Sequence, residues 1–414
     1  MQSKHALCSL TGFLALAAIL MLADKARAGS EFKVLHSFHC NPSGCYPSGG
    51  LAFDAVGHLY GTTPGGGDAD ATIFRITPTS GSRWTYSLLY TLTIEQGSAV
   101  EPSVTLDPAG NLYGTSINGG ARDFGSVFEL SRGQTTTKAW TLTVLHSFDP
   151  FVNDGSGPWD KVILDKAGNV YGTTRDMGAN GGGIVFKLTP GSGGAWTETI
   201  LHDFPATPHD GGLSYAELVQ DGSGNLYGTT SGGGVGSGDG TVFKLTHTAS
   251  GWKEALLHSF QGPDGSTPIT GLVFDAKGDL YGTTQEGGPN SEGTIFKLTP
   301  TAHGLWKHTI LYDFPQFRNG GGPVSTLAFD KSGNLYGTAA GGTGPCSGGC
   351  GVVYKLAPGS DGKWTYSVLH RFTDKGDGAE PNGAVVFDKT GTHLYGTAIF
   401  GGTYNQGVVY EITP

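Results

Sequence analysis

The stretch LYGTTQEGGPNSEGTIFKLTP, Leu280–Pro300, holds two short runs rich in β-branched and aromatic residues, split by a glycine-rich loop and stopped by Thr-Pro. Such runs read as strands, and the proline ends ladder pairing. Upstream lies a third run, Leu272 to Asp275, and downstream a fourth, Trp306 to Phe314. The same four-part unit recurs with its LYGT-like string beginning at Leu59, Leu112, Val170, Leu226, Leu280, Leu335 and Leu394, at intervals of 53 to 59 residues. Four strands in a repeat of that length describe a propeller blade, and seven copies predict an all-β, seven-bladed β-propeller with four antiparallel strands per blade. The seventh copy stops at Pro414, after its third strand. The missing fourth strand is at the other end: Glu31 to Phe38, EFKVLHSF, matches the fourth-strand pattern and precedes every first strand. The last blade is therefore expected to be completed by the N-terminal strand, so that residues 29–414 form one closed domain.

The first two runs of most copies are joined by Asp-x-x-Gly-Asn, as at Asp107 to Asn111, Asp165 to Asn169, Asp221 to Asn225 and Asp330 to Asn334. An Asp that bonds back to the chain and a Gly that takes positive φ make a hairpin turn. A calcium loop needs more carboxylates and a closing bidentate acid, which these turns lack. The Gly of LYGT, inside a strand in all seven copies, is expected to make room for an aromatic ring of the adjacent blade.

Gly 71, Pro 21 and only 14% charged residues among 414 exclude a coiled coil and a charged disordered chain. A net charge of -10 works against binding a phosphate backbone, so no nucleic-acid partner is expected. Residues 1–28 combine a basic start, an apolar run from Ala6 to Ala23 and the small-x-small site Ala26-Arg27-Ala28, and read as a secretory signal peptide. Retained, the run is about long enough for a membrane anchor; cleaved, it leaves no span. Export, secreted or periplasmic, makes disulfides the default for Cys40 with Cys45 and Cys346 with Cys350. A four-thiolate zinc site is the rival reading, and the spacings do not favour it.

The repeated LYGTT, the glycine-rich loop and VFKLTP resemble the GloVer-type tandem-repeat family of exported bacterial proteins, over essentially the whole chain after residue 28. The resemblance implies an extracellular repeat protein and carries over no catalytic residue.

In a propeller, the loops between strands two and three and those joining blades emerge on one face. Here those are the variable loops, which is how binding surfaces are built on a constant scaffold. Asp154, Asp210, Asp264 and Asp377, with the off-pattern Arg122, Arg175, Trp159, Tyr215 and Glu217, are the candidate ligand-binding set near the channel mouth. The bland reading of the Asp-Gly pairs is that they are turns. The recurrent His36, His146, His202, His258 and His370 fall at one outer-strand position of different blades, so they are not expected to converge on a metal. GxSxG, HExxH and a phosphate-binding loop are lacking, and no cofactor is implied. The leading expectation is a monomeric binding or cell-surface interaction module with a carbohydrate ligand. The alternative is a secreted hydrolase or lyase using carboxylates from separate loops of that face.

Overall fold

The computed structural model describes residues 30–65, 71–80, 83–100, 103–133, 139–206, 211–317 and 320–414. The signal segment, residues 1–28, and Asp210 lie outside the described residues. Seven antiparallel sheets follow one another around a ring. Blade 4 shows the plan with Val219–Gln220, Leu226–Thr230, Thr241–Thr248 and Gly251–Ser259, paired in chain order. Blade 3 carries two additional short strands, Gly155–Ser156 and Asp176–Met177, at its loop face.

Ring closure joins the two ends of the chain. The strand Glu31–Ser37 pairs with Val408–Thr413, Val34 standing opposite Tyr410 and Lys33 opposite Glu411, with a bulge between Val34 and His36. The last blade thus takes its fourth strand from the start of the chain, as the sequence predicts.

Each letter of LYGT has a separate physical task. The leading Leu, or Val170 in blade 3, is fully buried in the blade core in all seven copies. The Tyr packs against the next blade: Tyr281 meets Phe329 at 5.1 Å and Trp364 at 6.3 Å, and Tyr395 closes the ring onto Phe53 at 5.2 Å and Trp84 at 5.5 Å. An aromatic side chain buried in this way contributes about 2 to 3 kcal/mol before entropy, so apolar packing holds the seams between blades. The Tyr hydroxyl turns back to the hairpin, Tyr227 Oη donating to Asp221 Oδ2 at 3.0 Å. The same Asp221 accepts from the backbone N–H and side-chain amide of Asn225, so its carboxylate is spent on the turn.

The Gly of LYGT corrects the expectation drawn from sequence. Gly228 pairs in register with Phe243 of its own blade, and a Cβ there would lie 2.6 Å from Phe243 Cζ and 3.0 Å from Leu218 Cδ2. The ring it admits comes from the third strand of the same sheet, and Tyr354 and Tyr410 play that part opposite Gly337 and Gly396. Cross-strand register places the two residues face to face; blade stacking does not.

The Thr of LYGT ties blades together. Thr115 Oγ1 donates to the carbonyl of Asp160 at 2.9 Å, Thr229 to Thr270 at 3.0 Å and Thr397 to Gly49 at 2.7 Å, each reaching the segment that leads into the first strand of the next blade. These lead-in segments line the central channel.

Both expected disulfides are present, Cys40–Cys45 and Cys346–Cys350. Closing loops this short contributes about 2 kcal/mol each, which pins the loops without carrying the fold. The loop face is stitched by main-chain bonds, Ser98 N–H to Asn118 O at 2.8 Å within blade 2 and Thr267 N–H to Asp239 O at 2.9 Å from blade 5 to blade 4. The blade-linking loops and the strand two-to-three loops do share one face.

Candidate functional site

The lead-in segments enclose a cavity of about 510 Å³ on the ring axis, a size suited to a small ligand. Five blades contribute mostly small side chains, among them Ser48, Gly49 and Gly50 from blade 1, Ser103 from blade 2, Ser325 from blade 6 and Gly383 and Ala384 from blade 7. Blades 3 and 4 differ. They contribute Trp159, Asp160 and Lys161, and Tyr215 and Glu217.

These side chains form two neighbouring groups. The Trp159 and Tyr215 rings meet edge to face at 5.3 Å, and the Arg175 guanidinium lies 5.2 Å from the first ring centre and 5.6 Å from the second. Arg175 is held by its neighbour Asp176 through Nε to Oδ2 at 2.6 Å. Beside them, Lys161 Nζ and Glu217 Oε2 form an ion pair at 2.6 Å. Asp160 accepts two main-chain N–H groups, from Lys161 at 2.6 Å and from Glu217 at 2.9 Å. Gly271 of blade 5 makes room for this arrangement, since a Cβ there would lie 2.4 Å from Glu217 Cγ.

The electrostatics follow from burial beside like charge. Burial first, and then the Glu217 carboxylate, push Asp160 up to about 7, although Lys161 and the two N–H donors oppose the shift. Burial disfavours the Lys161 ammonium, but Glu217 and Asp160 outweigh it and raise its pKa. The group therefore sets an ammonium favoured by its acidic neighbours beside an Asp160 whose ionisation burial opposes, flanked by two aromatic rings.

Of the residues singled out from sequence, Trp159, Tyr215, Glu217 and Arg175 are brought together here. The aspartates of the Asp-Gly pairs stand elsewhere. Asp154 Oδ2 is 2.8 Å from His146 Nε2, Asp264 Oδ2 is 2.9 Å from His258 Nε2 and Asp377 Oδ2 is 3.1 Å from His370 Nε2. Each also accepts main-chain N–H groups where the outer strand ends, at Asp149, Gln261 and Thr373 respectively. They secure the exit from the fourth strand and do not line the channel. Arg122 is exposed and pairs with Asp149 at 3.4 Å. Asp160 and Lys161 went unmarked in the sequence. Aligning the lead-in segments of blades 1, 3, 5, 6 and 7 on Pro47, Pro158, Pro268, Pro323 and Pro381 exposes them, because the matching places hold Gly49 and Gly50, Thr270 and Gly271, Ser325 and Thr326, and Gly383 and Ala384.

Among the described residues no helix is long and apolar enough to cross a membrane. A family model described as the Gloeobacter/Verrucomicrobia repeat matches residues 69–272 and 237–414. No curated protein matches the chain. Among solved structures, the extracellular domain of a protein assigned as a hybrid two component system from B. thetaiotaomicron is 14% identical, with TM-score 0.53, covering 92% of this chain and 41% of that one. PorZ, a bacterial surface component of the type-IX secretion system of Porphyromonas gingivalis, is 15% identical, with TM-score 0.51, covering 91% of this chain and 48% of that one. The chain thus spans less than half the length of either protein, and the likeness is one of fold. An oxidoreductase of Thermus thermophilus assigned as glucose dehydrogenase superposes at TM-score 0.44 with 17% identity, covering 93% of this chain and all of that one. That superposition is too loose to carry an argument.

Proposed function

The chain belongs to the Gloeobacter/Verrucomicrobia repeat family, and from that footing we propose that it is an exported binding module that takes a carbohydrate at the channel mouth between blades 3 and 4. The observation that carries the reading is that Trp159 and Tyr215, with Arg175 against both rings, share the wall of one cavity with Asp160, Lys161 and Glu217. A sugar ring has an apolar C–H face and a rim of hydroxyls. An indole beside charged donors and acceptors matches both, because aromatic side chains offer an apolar body next to polar partners. Export is supported by the signal segment and by the two disulfides, which persist in oxidising compartments.

A second reading, a hydrolase or lyase on carbohydrate, is favoured by one observation: Asp160, with a pKa near 7, stands beside Glu217 as a proton-transferring acid would. The hydrogen bonding weighs the other way. Both Asp160 oxygens already accept main-chain N–H groups, and Lys161 neutralises Glu217. The binding reading leads for that reason.

A panel of soluble polysaccharides and oligosaccharides, screened by thermal shift with product analysis on the hits, tests both readings. A ligand that raises the melting temperature and is recovered intact supports binding, and Trp159→Ala is expected to weaken it at least tenfold. Chain cleavage lost in Asp160→Asn would establish the enzyme. No response to any glycan would overturn both.

A further inference from the structure

The outer strands meet across every seam of the ring through one pair of side chains. In the fourth strand the recurrent His position of one blade faces the second residue after the opening Trp in the next. At three seams this pair is an aromatic stack with at most one histidine, His36 on Tyr86 at 4.3 Å, Tyr312 on Tyr366 at 4.4 Å and His370 on Phe32 at 3.8 Å. The seam between blades 4 and 5 departs from that pattern. His258 stacks on His308, ring centres 4.3 Å apart and planes 6° from parallel, and Asp264 stands at the edge of the pair.

We propose that His258, Asp264 and His308 form a binding site for a divalent transition-metal ion of the zinc or cobalt type, across the seam between blades 4 and 5. Their ligand atoms all lie within 4.8 Å of one another. Two imidazoles and one carboxylate are a donor set that borderline ions favour, and three protein ligands leave a position open to water or another donor. His308 Nε2 is buried with no hydrogen-bond partner, an uncommon state for a polar atom and one that a ligated ion relieves. The carboxylate is already positioned, since Asp264 Oδ1 accepts the Gln261 N–H at 2.7 Å while Oδ2 faces His258 Nε2. The outer strand leaves a route in: the His258 and Asp264 side chains keep 18% and 29% of their exposure.

Parallel planes cannot both contain one ion. Ligation therefore turns the rings out of their stack and draws the donors toward the separation of about 3.3 Å that a tetrahedral ion sets. His308 is also the only histidine at its position: Tyr86, Leu142, Glu198, Glu254, Tyr366 and Phe32 fill it in the other blades. The site is separate from the channel.

The test is a Co2+ titration of the metal-stripped protein without a histidine tag, followed by visible d–d absorption and ion stoichiometry. Wild type is expected to show saturable absorption. His308→Tyr, the residue blades 1 and 6 use there, is expected to bind one equivalent less while melting at the wild-type temperature in chelator. Asp264→Asn is expected to weaken the same equivalent about tenfold, and it decides the matter should His308→Tyr fail to fold. Glu198→Gln, which alters a different seam, is expected to leave that equivalent in place. No absorption in wild type, or unchanged stoichiometry and affinity in both seam variants, would overturn the proposal.

Discussion

Gly228 and Phe243 lie directly opposite each other on the second and third strands of blade 4, and the phenyl ring occupies the space a Cβ on Gly228 would need. The same relation recurs in all seven blades, so glycine is required by cross-strand packing and its backbone freedom is incidental. Gly228→Val is expected to destabilise by more than about 2 kcal/mol through overpacking, and Gly228→Ala by less. The double variant Gly228→Ala/Phe243→Leu is expected to recover part of the loss. Thermal or denaturant midpoints of wild type, Gly228→Ala, Phe243→Leu and the double variant form the cycle; additive effects would deny the coupling.

Thr229→Val keeps the shape of the side chain and removes the bond to the Thr270 carbonyl of the next blade. A buried carbonyl left short of a donor costs about 1 to 3 kcal/mol. The melting temperature is expected to fall, with the fold otherwise intact by circular dichroism.

His36 gives a pH signature. Burial holds its pKa at about 4 in the folded protein, against 6.5 in the unfolded chain. Below 6.5 the unfolded state binds a proton that the folded state refuses, so stability is lost as pH falls from 6.5 toward 4, at up to about 1.4 kcal/mol per pH unit. His36→Tyr, the residue blades 1 and 5 use at that place, is expected to flatten stability over this window relative to wild type. Denaturant midpoints at pH 4.5, 5.5 and 6.5 read the difference; parallel curves would contradict it.

What could be read from the chain, and what could not, divides along a physical line. Repeat period, strand type and the displaced EFKVLHSF strand are properties of local pattern, and Val34 opposite Tyr410 follows from them. Trp159, Tyr215 and Glu217 stood out because each breaks a sevenfold pattern. Asp160 and Lys161 break it too, but Asp and Lys are unremarkable in a loop until the ring packs them beside Glu217. Register was the harder quantity. The source of the ring over Gly228 depends on which residues oppose each other across strands, and local pattern does not specify that. Asp154, Asp264 and Asp377 read in sequence as turn residues first and as ligands second, and their bonds to His146, His258 and His370 place them at the strand exits. His308 carried no signal because it occurs once.

Deleting Glu31 to Phe38 removes the outer strand of blade 7, opens a sheet edge along Val408–Thr413 and exposes the seam with blade 1. The truncated protein is expected to lose its cooperative melting transition and to aggregate. A transition matching that of the untruncated protein would deny that the shared blade holds the ring closed.

The channel mouth carries one convenient probe. Of the 7 tryptophans, six open the fourth strands and Trp159 alone lines the cavity. The decisive measurement is the fluorescence difference between wild type and Trp159→Phe during titration with a glycan identified by thermal shift. A saturable change in wild type that vanishes in the variant is the result expected of a ligand seated between blades 3 and 4. A saturable change of equal size in both proteins would place the ligand elsewhere and contradict the assignment of the site.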